Sequence, residues 1–321
     1  MSILNWGLLG TARINRSIIP PLRLSTRNTL RGVASRDLAR AQAYADEWQI
    51  PQAYGSYEAM LDDPDIDVVY IPLPNRLHAE WVIQAAQAGK HILCEKPLAL
   101  TVEEIDAMSD AAQAAGVILA EGFMYRHHMR TLQLKKLVDK GAIGEVHTIR
   151  GAFTFPLNRP NDVRWNPELG GGSLWDVGCY PLSFARFMLG SEPEEIIGRQ
   201  VLGDSGIDVS FAAMLRFPGD VLVQFDCGFR TQFRMEMEIA GSDGRLFVPM
   251  AFKPERQSHI YLTNGNDELR IQVDGNHLYL DEIEDLTDAV LEGKPPRVSI
   301  EESRGNVAAI LALYESARYA G

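Results

Sequence analysis

The chain has 321 residues, of which 46% are hydrophobic and 23% charged, and its formal net charge is −12. This length favours two domains, each with enough residues for its own core. The acidity is not offset by a basic stripe, which argues against a nucleic-acid partner. No apolar run approaches the ~20 residues of a membrane-spanning helix, so no membrane association is expected.

The N-terminus and the cysteines indicate where the protein works. The stretch MSILNWGLLG has no basic region or cleavage signal and leads directly into a predicted strand. Cys94, Cys179 and Cys227 are odd in number and lack metal-ligand spacing. We therefore expect buried, reduced thiols, no bound metal and a cytoplasmic location.

Residues 1–122 alternate apolar, strand-like runs with amphipathic helical patterns. Such alternation is typical of a doubly wound parallel sheet with helices on both faces. The helical stretch LTVEEIDAMSDAAQAAG opens with a capping box, Thr101 with Glu104, and closes on Gly116. The predicted strands are Leu4–Leu9, Leu30–Ser35, Val68–Ile71, Ile92–Cys94 and Val117–Glu121.

Residues 123–321 show a different pattern. Runs of period-two alternation are separated by Pro-Gly-Asp and Ser-Asp-Gly turns, which is typical of antiparallel hairpins. A helical segment, about Ser173–Leu189, interrupts them, and two further helices complete the chain. This predicts an α+β domain with a large, open, mostly antiparallel sheet, whose last helix packs back on the first domain. An open sheet with an apolar face commonly pairs with a second copy, so we expect a homodimer or homotetramer.

The first predicted strand ends in WGLLGTARINRS, where a dinucleotide-binding fold has G-x-G-x-x-G. Only the first glycine is present, since Ala12 is a small substitute for the second and Asn15 replaces the third. The position, directly after the first strand, favours a turn whose backbone amides face a pyrophosphate. The residues predicted to bind the cofactor here are Gly10, Thr11, Ala12, Arg13 and Ile14.

The second predicted strand ends in Ser35 and Arg36, about 25 residues after the glycine turn. An NAD site usually has an acidic residue there, which binds the ribose 2′-hydroxyl. A hydroxyl and a guanidinium instead suit a 2′-phosphate, although Arg36 could also be a solvated surface charge. Asp37 follows and is expected to cap the next helix. We predict NADP as the preferred cofactor, with NAD as the alternative.

Two further strand ends carry unusual residues. In YIPLPNRLH, Pro72 and Pro74 define an extended turn at the carboxyl end of the sheet, where α/β folds bind ligands. Asn75 either caps the following helix or borders the nicotinamide. In GKHILCEKPLAL, an apolar strand ends in Glu95 and Lys96, charges that are unfavourable in a core unless paired or used. This stretch is either an exit to the surface or part of a site.

The segment ELGGGSLWDVGCYPLSFARFMLG contains an acid and a phenol, Asp176 and Tyr180, at i and i+4 on one helix face. Gly178 and Pro181 are unfavourable in a helix interior by ~1 and ~3 kcal/mol, and such local conflicts tend to occur at functional sites. The pair suits acid–base chemistry. The alternative is that Tyr180 belongs to the core and Asp176 interacts with the helix dipole.

Together, the motifs GLLGTARI, PLPNRLH, CEKPLA, EGFMYRHH and GGGSLWDVGCYPL resemble the glucose–fructose oxidoreductase / inositol dehydrogenase / MocA (Gfo/Idh/MocA) family. The resemblance implies a Rossmann domain followed by a substrate-binding and oligomerisation domain. It implies that Lys96 is the catalytic-site lysine, in a cis bond to Pro97, and that Asp176 and Tyr180 complete the catalytic set. A tyrosine, where many relatives have histidine, is similar to the branch of dihydrodiol dehydrogenases, aldose dehydrogenases and sugar ketoreductases. Met129 departs from the family, which often has proline there.

The resemblance also extends the predicted site. The residues predicted to lie beside the cofactor at the strand ends are Leu73, Asn75, His78, Glu95 and Lys96. The residues predicted to line the substrate pocket are Arg164, Trp165, Phe153 and Tyr125.

Oxidation of a carbinol requires a base for the hydroxyl proton while a hydride leaves. A free tyrosine has a pKa near 10, and lowering it by ~3 units with a nearby lysine corresponds to ~4 kcal/mol. Tyr180 and Lys96 would titrate as a unit, and either could move the proton. Asp176 would orient the site or bind a substrate hydroxyl.

The predicted function is therefore an NADP-preferring oxidoreductase acting on a small sugar or cyclic diol. Aldose C1 oxidation is placed first, trans-dihydrodiol oxidation second and keto-sugar reduction third. The competing hypothesis is a non-catalytic, dinucleotide-sensing regulator on the same fold.

Overall fold

A computed structural model describes residues 3–318 of the chain, which divides into two compact units. The first unit contains the residues up to Met124 together with Tyr279–Arg304. The second contains Tyr125–Leu278 and the residues from Gly305 onward. None of the helices within residues 3–318 is both long enough and apolar enough to cross a membrane.

The first unit contains a six-stranded sheet in the order β3-β2-β1-β4-β5-β6, with every neighbouring pair parallel. The strands are β1 (Leu4–Leu9), β2 (Asn28–Ala34), β3 (Gln52–Tyr54), β4 (Val68–Ile71), β5 (His91–Glu95) and β6 (Leu119–Gly122). The strand order reverses between β1 and β4, which opens a crevice at the carboxyl ends of the strands. The predicted doubly wound sheet is confirmed, with β3 as an additional edge strand.

The second unit contains an eight-stranded sheet in the order β14-β13-β12-β11-β7-β10-β9-β8. The strands are β7 (Val146–Thr154), β8 (Glu195–Leu202), β9 (Asp208–Phe217), β10 (Val221–Gly228), β11 (Arg234–Gly241), β12 (Arg245–Pro249), β13 (Gln257–Asn264) and β14 (Asp267–Asp274). All pairs are antiparallel except β7 with β10. The open, mostly antiparallel sheet is confirmed, and both predicted turns join neighbouring strands, β9 to β10 and β11 to β12.

Nine α-helices lie in the described part of the chain. In chain order they are α1 (Asn15–Leu24), α2 (Leu38–Trp48), α3 (Tyr57–Leu61), α4 (His78–Gln87), α5 (Val102–Ala115), α6 (Met129–Asp139), α7 (Cys179–Leu189), α8 (Leu280–Glu292) and α9 (Ile300–Arg318). The capping box predicted for α5 is present, with Thr101 and Glu104 bonded reciprocally and Gly116 in the left-handed conformation after it. Asp37 caps α2, as its position predicts.

Burial of apolar side chains stabilises both units. Trp6, Leu8 and Tyr70 are fully buried in the first sheet, and Phe211 and Phe217 are 1% and 0% exposed in the second. Each such side chain contributes about 1.5–3 kcal/mol relative to an exposed one. The three cysteines are buried thiols, as expected from their number and spacing.

Candidate active site

The turn after β1 is built around Gly10, whose φ of +123° is a conformation that residues with a side chain rarely adopt. A Cβ at this position would lie 3.2 Å from Leu73 Cδ2. Asn15, fully buried at the start of α1, donates from Nδ2 to the Gly10 carbonyl at 2.8 Å. Asn15 therefore closes the turn with a side-chain hydrogen bond at the position where the dinucleotide motif has its third glycine.

The residues between Gly10 and α1 form the predicted pyrophosphate site. The apolar side chain of Ile14 precedes α1 and cannot cap it, so the positive end of the helix dipole is left for another group. A helix N-terminus preceded by a tight glycine turn is suited to phosphate. The segment Thr11–Ile14 thus fits the pyrophosphate of a dinucleotide.

Two arginines lie at the tip of β2. Ser35 is buried and Arg36 is exposed, while Arg40 in the first turn of α2 donates from Nε to Thr11 Oγ1 at 2.8 Å. The Asp37 carboxylate accepts hydrogen bonds from the amides of the first turn of α2. Arg40 therefore places a guanidinium group next to the glycine turn, and it is a residue that sequence reasoning did not identify. Its spacing of four residues from Arg36 was the available signal.

His78 is fully buried and connects the loops that follow β4 and β5. Its Nδ1 lies 2.9 Å from the Pro97 carbonyl oxygen, and its Nε2 lies 2.8 Å from the Leu73 carbonyl oxygen. A neutral ring donates to one of these oxygens and an imidazolium donates to both. Burial lowers the pKa of His78, and the carbonyl oxygens oppose that shift. We infer that His78 positions the two loops, and its predicted contact with the cofactor stays a prediction.

The loop after β5 carries Lys96, in a cis peptide bond to the next residue as the resemblance implies. Before Lys96, the Tyr70 hydroxyl on β4 donates to Glu95 Oε1 at 2.5 Å. After it, Glu121 Oε1 on β6 accepts from the backbone N–H of Leu98 at 2.8 Å. Both neighbouring strands thus anchor the segment around Lys96, which excludes a simple surface exit.

In the second unit, Asp176 and Tyr180 lie on one continuous helical segment. Its first part, Leu174–Gly178, is a π-helical turn, a feature frequent at functional sites, and α7 follows directly. A Cβ on Gly178 would lie 2.7 Å from Cys227 Sγ, so close packing requires glycine. Pro181 lies within this continuous segment, three residues after the end of the π-helical turn, where the helical hydrogen bonds are irregular. Packing against Cys227 therefore accounts for the glycine, and the local irregularity of the helix accommodates the proline.

Arg164, predicted to contact substrate, is bound to carboxylates of its own unit. Its Nε donates to Asp176 Oδ2 at 2.6 Å and its Nη1 to Asp162 Oδ1 at 3.0 Å. The negative charge of Asp176 is the main cause of the raised pKa of Arg164. The neighbouring Trp165 is half-buried, and its ring packs edge-on against Phe229 at 5.6 Å. The structure therefore brings Arg164 to the predicted catalytic acid.

An aromatic cluster surrounds the Tyr180 ring. The ring centroids of Phe153, Tyr125 and Phe252 lie 5.4, 5.8 and 5.2 Å from that of Tyr180. Phe153 is 4% exposed, and Tyr125 is fully buried with its hydroxyl donating to Ser183 Oγ at 2.9 Å. Substrate contact by Phe153 and Tyr125 stays a prediction, and what the structure shows is that they hold the Tyr180 ring. Phe252 follows β12, and no local sequence pattern indicated that it contacts Tyr180.

Two family models match this chain. Residues 4–123 match the oxidoreductase family with an NAD-binding Rossmann fold, Gfo/Idh/MocA, and residues 131–247 match the Gfo/Idh/MocA C-terminal domain. The chain is also 40% identical over 316 residues to D-xylose 1-dehydrogenase (NADP(+)) 2 of Haloferax volcanii, covering 97% of both chains. The chain belongs to the Gfo/Idh/MocA oxidoreductase family.

Other members of the Gfo/Idh/MocA family are similar as well. A trans-1,2-dihydrobenzene-1,2-diol dehydrogenase of Danio rerio is 34% identical over 250 residues, 77% of this chain and 74% of its own. The crystal structure of a 3-ketoreductase from Actinomadura kijaniata, in complex with NADP and TDP-benzene, superposes with a TM-score of 0.92 at 30% identity over 98% of both chains. Membership confirms the resemblance, and it makes the protein an NAD(P)-dependent oxidoreductase of CH–OH groups with a Rossmann cofactor domain.

Proposed function

We propose that this family member is an NADP-preferring aldose 1-dehydrogenase, which oxidises the anomeric carbinol of a pentose or hexose to a lactone. The observation that carries the proposal is the 40% identity, over 97% of both chains, to an NADP-dependent D-xylose 1-dehydrogenase. A keto-sugar reductase is the second candidate, because the 3-ketoreductase shares the whole fold.

The first unit supplies the cofactor-binding residues in this proposal. The turn from Gly10 to Ile14 would hold the pyrophosphate, and Arg36 and Arg40 would hold the 2′-phosphate. The Arg40 guanidinium beside Thr11, with the exposed Arg36 four residues earlier, favours a phosphate over a ribose hydroxyl, since charge-assisted hydrogen bonds to phosphate are strong. Bound NADP supplies the hydride acceptor, the nicotinamide C4. All proton handling then falls to side chains of this chain.

Three side chains are assigned to that proton handling. We propose that Tyr180 accepts the proton of the sugar hydroxyl and that the Lys96 ammonium stabilises the phenolate. Asp176, in an ion pair with Arg164, would accept a hydrogen bond from a second hydroxyl and orient the sugar. The aromatic cluster of Phe153, Tyr125 and Phe252 fixes the Tyr180 ring, and holding reacting groups in place is a large part of catalysis.

A substrate panel tests the proposal. D-Xylose, D-glucose, a trans-dihydrodiol and, in the reductive direction, a keto-sugar nucleotide would be assayed with NADP(H) and NAD(H) by absorbance of the reduced nicotinamide. We expect the highest kcat/KM for an aldose with NADP. Preference for the dihydrodiol or the keto-sugar would replace the substrate assignment. NADP binding without turnover on any substrate would support the sensor hypothesis.

We also infer that the open face of the second sheet pairs with a second copy. The strand register aligns six residues across this face: Ile197, Met214, Gln224, Arg150, Glu238 and Phe247. The first two are 46% and 45% exposed, and the two charged residues form an ion pair at mid-sheet. An apolar strip next to paired charges suits an isologous contact. Sedimentation at monomer mass would contradict the inference, and Met214→Asp is expected to shift the protein to monomer.

A further inference from the structure

A buried carboxylate lies at the start of the helical segment that bears the proposed catalytic acid and phenol. Asp208, the first residue of β9, is 2% exposed. Its Oδ2 accepts from Ser173 Oγ at 2.6 Å and from the backbone N–H of Leu174 at 2.8 Å. Its Oδ1 accepts from the Tyr314 hydroxyl on α9 at 2.7 Å. Three donors from two distant parts of the sequence, Ser173–Leu174 and Tyr314, thus converge on one side chain.

The glycine run before the segment fits around this carboxylate. Gly172 has a φ of +124°, and a Cβ there would lie 2.3 Å from Asp208 Oδ1 and 2.9 Å from the Tyr314 hydroxyl. At Gly171 a Cβ would lie 2.4 Å from the Arg164 carbonyl oxygen, which also accepts from the Gly172 amide at 3.1 Å. The glycines are therefore required by the close approach of Asp208 and of the Arg164 backbone.

The electrostatic setting favours a carboxylate at this position. Asp208 lies at the N-terminal end of the helical segment, where a negative charge is stabilised by the helix dipole. Burial raises the pKa of Asp208, and the hydrogen bonds from Ser173, Tyr314 and Leu174 oppose that rise. Removing such a hydrogen-bonded charge leaves three donors without their acceptor.

We propose that Asp208 is a positioning residue for the reaction, which, with Tyr314, fixes the first turn of the segment and so the directions of Asp176 and Tyr180. The proposal rests on the roles given to those two residues under the proposed function. Arg164 holds Asp176 from the preceding loop, and Asp208 holds the start of the segment from a later strand.

A small tilt at this attachment would displace Tyr180 by a distance that matters for catalysis. Tyr180 lies six residues after Leu174, about 9 Å along a helix that rises ~1.5 Å per residue. A tilt of ~6° at the first turn would move Tyr180 by about 1 Å. A misplacement of that size can lower a rate about 10²-fold.

Asp208→Asn is the main test, because it keeps the volume and removes the charge. We expect kcat to fall about 10- to 100-fold while KM for NADP changes less than twofold, since the proposed NADP-binding residues belong to the other unit. Ser173→Ala and Tyr314→Phe each remove one donor and are expected to lower kcat about threefold. Ser258→Ala is the matched control: this buried hydroxyl of the same unit donates to the Val273 carbonyl, away from the segment, and its loss should leave kcat unchanged.

The decisive readout is the same substitution in a Tyr180→Phe background. A positioning role predicts that Asp208→Asn then lowers kcat by a smaller factor than in the wild type, because one of the two groups it directs is gone. An undiminished effect in that background, or normal kcat in a folded Asp208→Asn variant, would overturn the proposal. If Asp208→Asn does not fold, Tyr314→Phe and Ser173→Ala must still lower kcat more than Ser258→Ala. Full turnover of Tyr180→Phe alone would refute the proposed function, and the Asp208→Asn kcat would still test positioning of Asp176.

Discussion

The two units hold their proposed site residues in different ways. In the first unit, the partners are neighbours in sequence or ends of adjacent parallel strands, such as Asn15 with Gly10 and Tyr70 with Glu95. In the second unit, the residues that hold the helical segment with Asp176 and Tyr180 come from far along the chain. Tyr314, for example, is 106 residues from Asp208. A parallel sheet gathers strand ends at one edge by topology alone, whereas an isolated helix must be oriented by tertiary contacts. Substitutions should therefore affect cofactor binding in the first unit and turnover in the second.

The largest expected effect tests the groups that handle the proton. Tyr180→Phe and Lys96→Ala are each expected to lower kcat about 10²-fold or more, the range of general acid–base catalysis. Initial rates with saturating NADP and aldose measure this. Tyr261→Phe, a half-buried tyrosine on β13, is the control and should be near normal. Near-normal turnover of either main variant would remove that residue from the mechanism.

The next effect tests the phosphate-binding tip of β2. Arg40→Ala and Arg36→Ala should each raise KM for NADP about tenfold, because a hydrogen bond to a charged group contributes about 1.5–3 kcal/mol. KM for NAD should change less than twofold, since NAD lacks the 2′-phosphate. Arg31→Ala, which breaks an exposed ion pair with Asp65, is the control. Equal changes in KM for NADP and for NAD would show that these arginines do not bind the 2′-phosphate.

A smaller effect separates positioning from direct contact at His78. His78→Gln loses at least part of the connection between the loops after β4 and β5, and ~1 kcal/mol corresponds to about fivefold in affinity. We expect KM for NADP to rise about fivefold with kcat nearly unchanged. His91→Gln is the control, because that ring accepts from the Ile118 amide away from these loops. A fall in kcat with unchanged KM would contradict the inference.

The smallest effect concerns stability and pH in the first unit. Glu282 on α8 is 2% exposed, and Oε1 has no partner among residues 3–318. Burial, then the charge of Glu95, raises the pKa of Glu282 well above its ordinary value. Between the unfolded and the folded pKa the native state retains a proton that the unfolded state has released, so this group makes stability fall as pH rises.

Glu282→Gln removes that ionisation, and its advantage over the wild type should grow with pH. A gain of ~1 kcal/mol corresponds to about 2–4 °C in Tm. Thermal melts at pH 5 and pH 8 should show the larger gain at pH 8. Glu80→Gln, on the exposed face of α4, provides the baseline. A gain that is equal at both pH values would exclude the ionisation as its cause.

Local sequence patterns predicted most elements of the first unit. β1 and β4 have their predicted bounds, both caps are present, and the residues after each strand lie at the edge where ligands bind. In the second unit the alternating hairpins were predicted, but β8, β13 and β14 were not. The many polar residues of these strands, charged in β8 and β14, weaken the apolar alternation that marks a strand.

The candidate site divides in the same manner. Lys96, Asp176 and Tyr180 could be named from motifs, because each lies in a short recognisable stretch, CEKPLA for Lys96 and GGGSLWDVGCYPL for the other two. Three other relations could not be predicted from motifs. Arg164 binds Asp176, Phe252 packs on Tyr180, and Asp208 explains the glycine run. Periodicity, caps and turns depend on residues within one or two turns of each other, and the sequence alone determines them. Contacts across 12 to 106 residues depend on which surfaces pack together, and only the tertiary structure decides those.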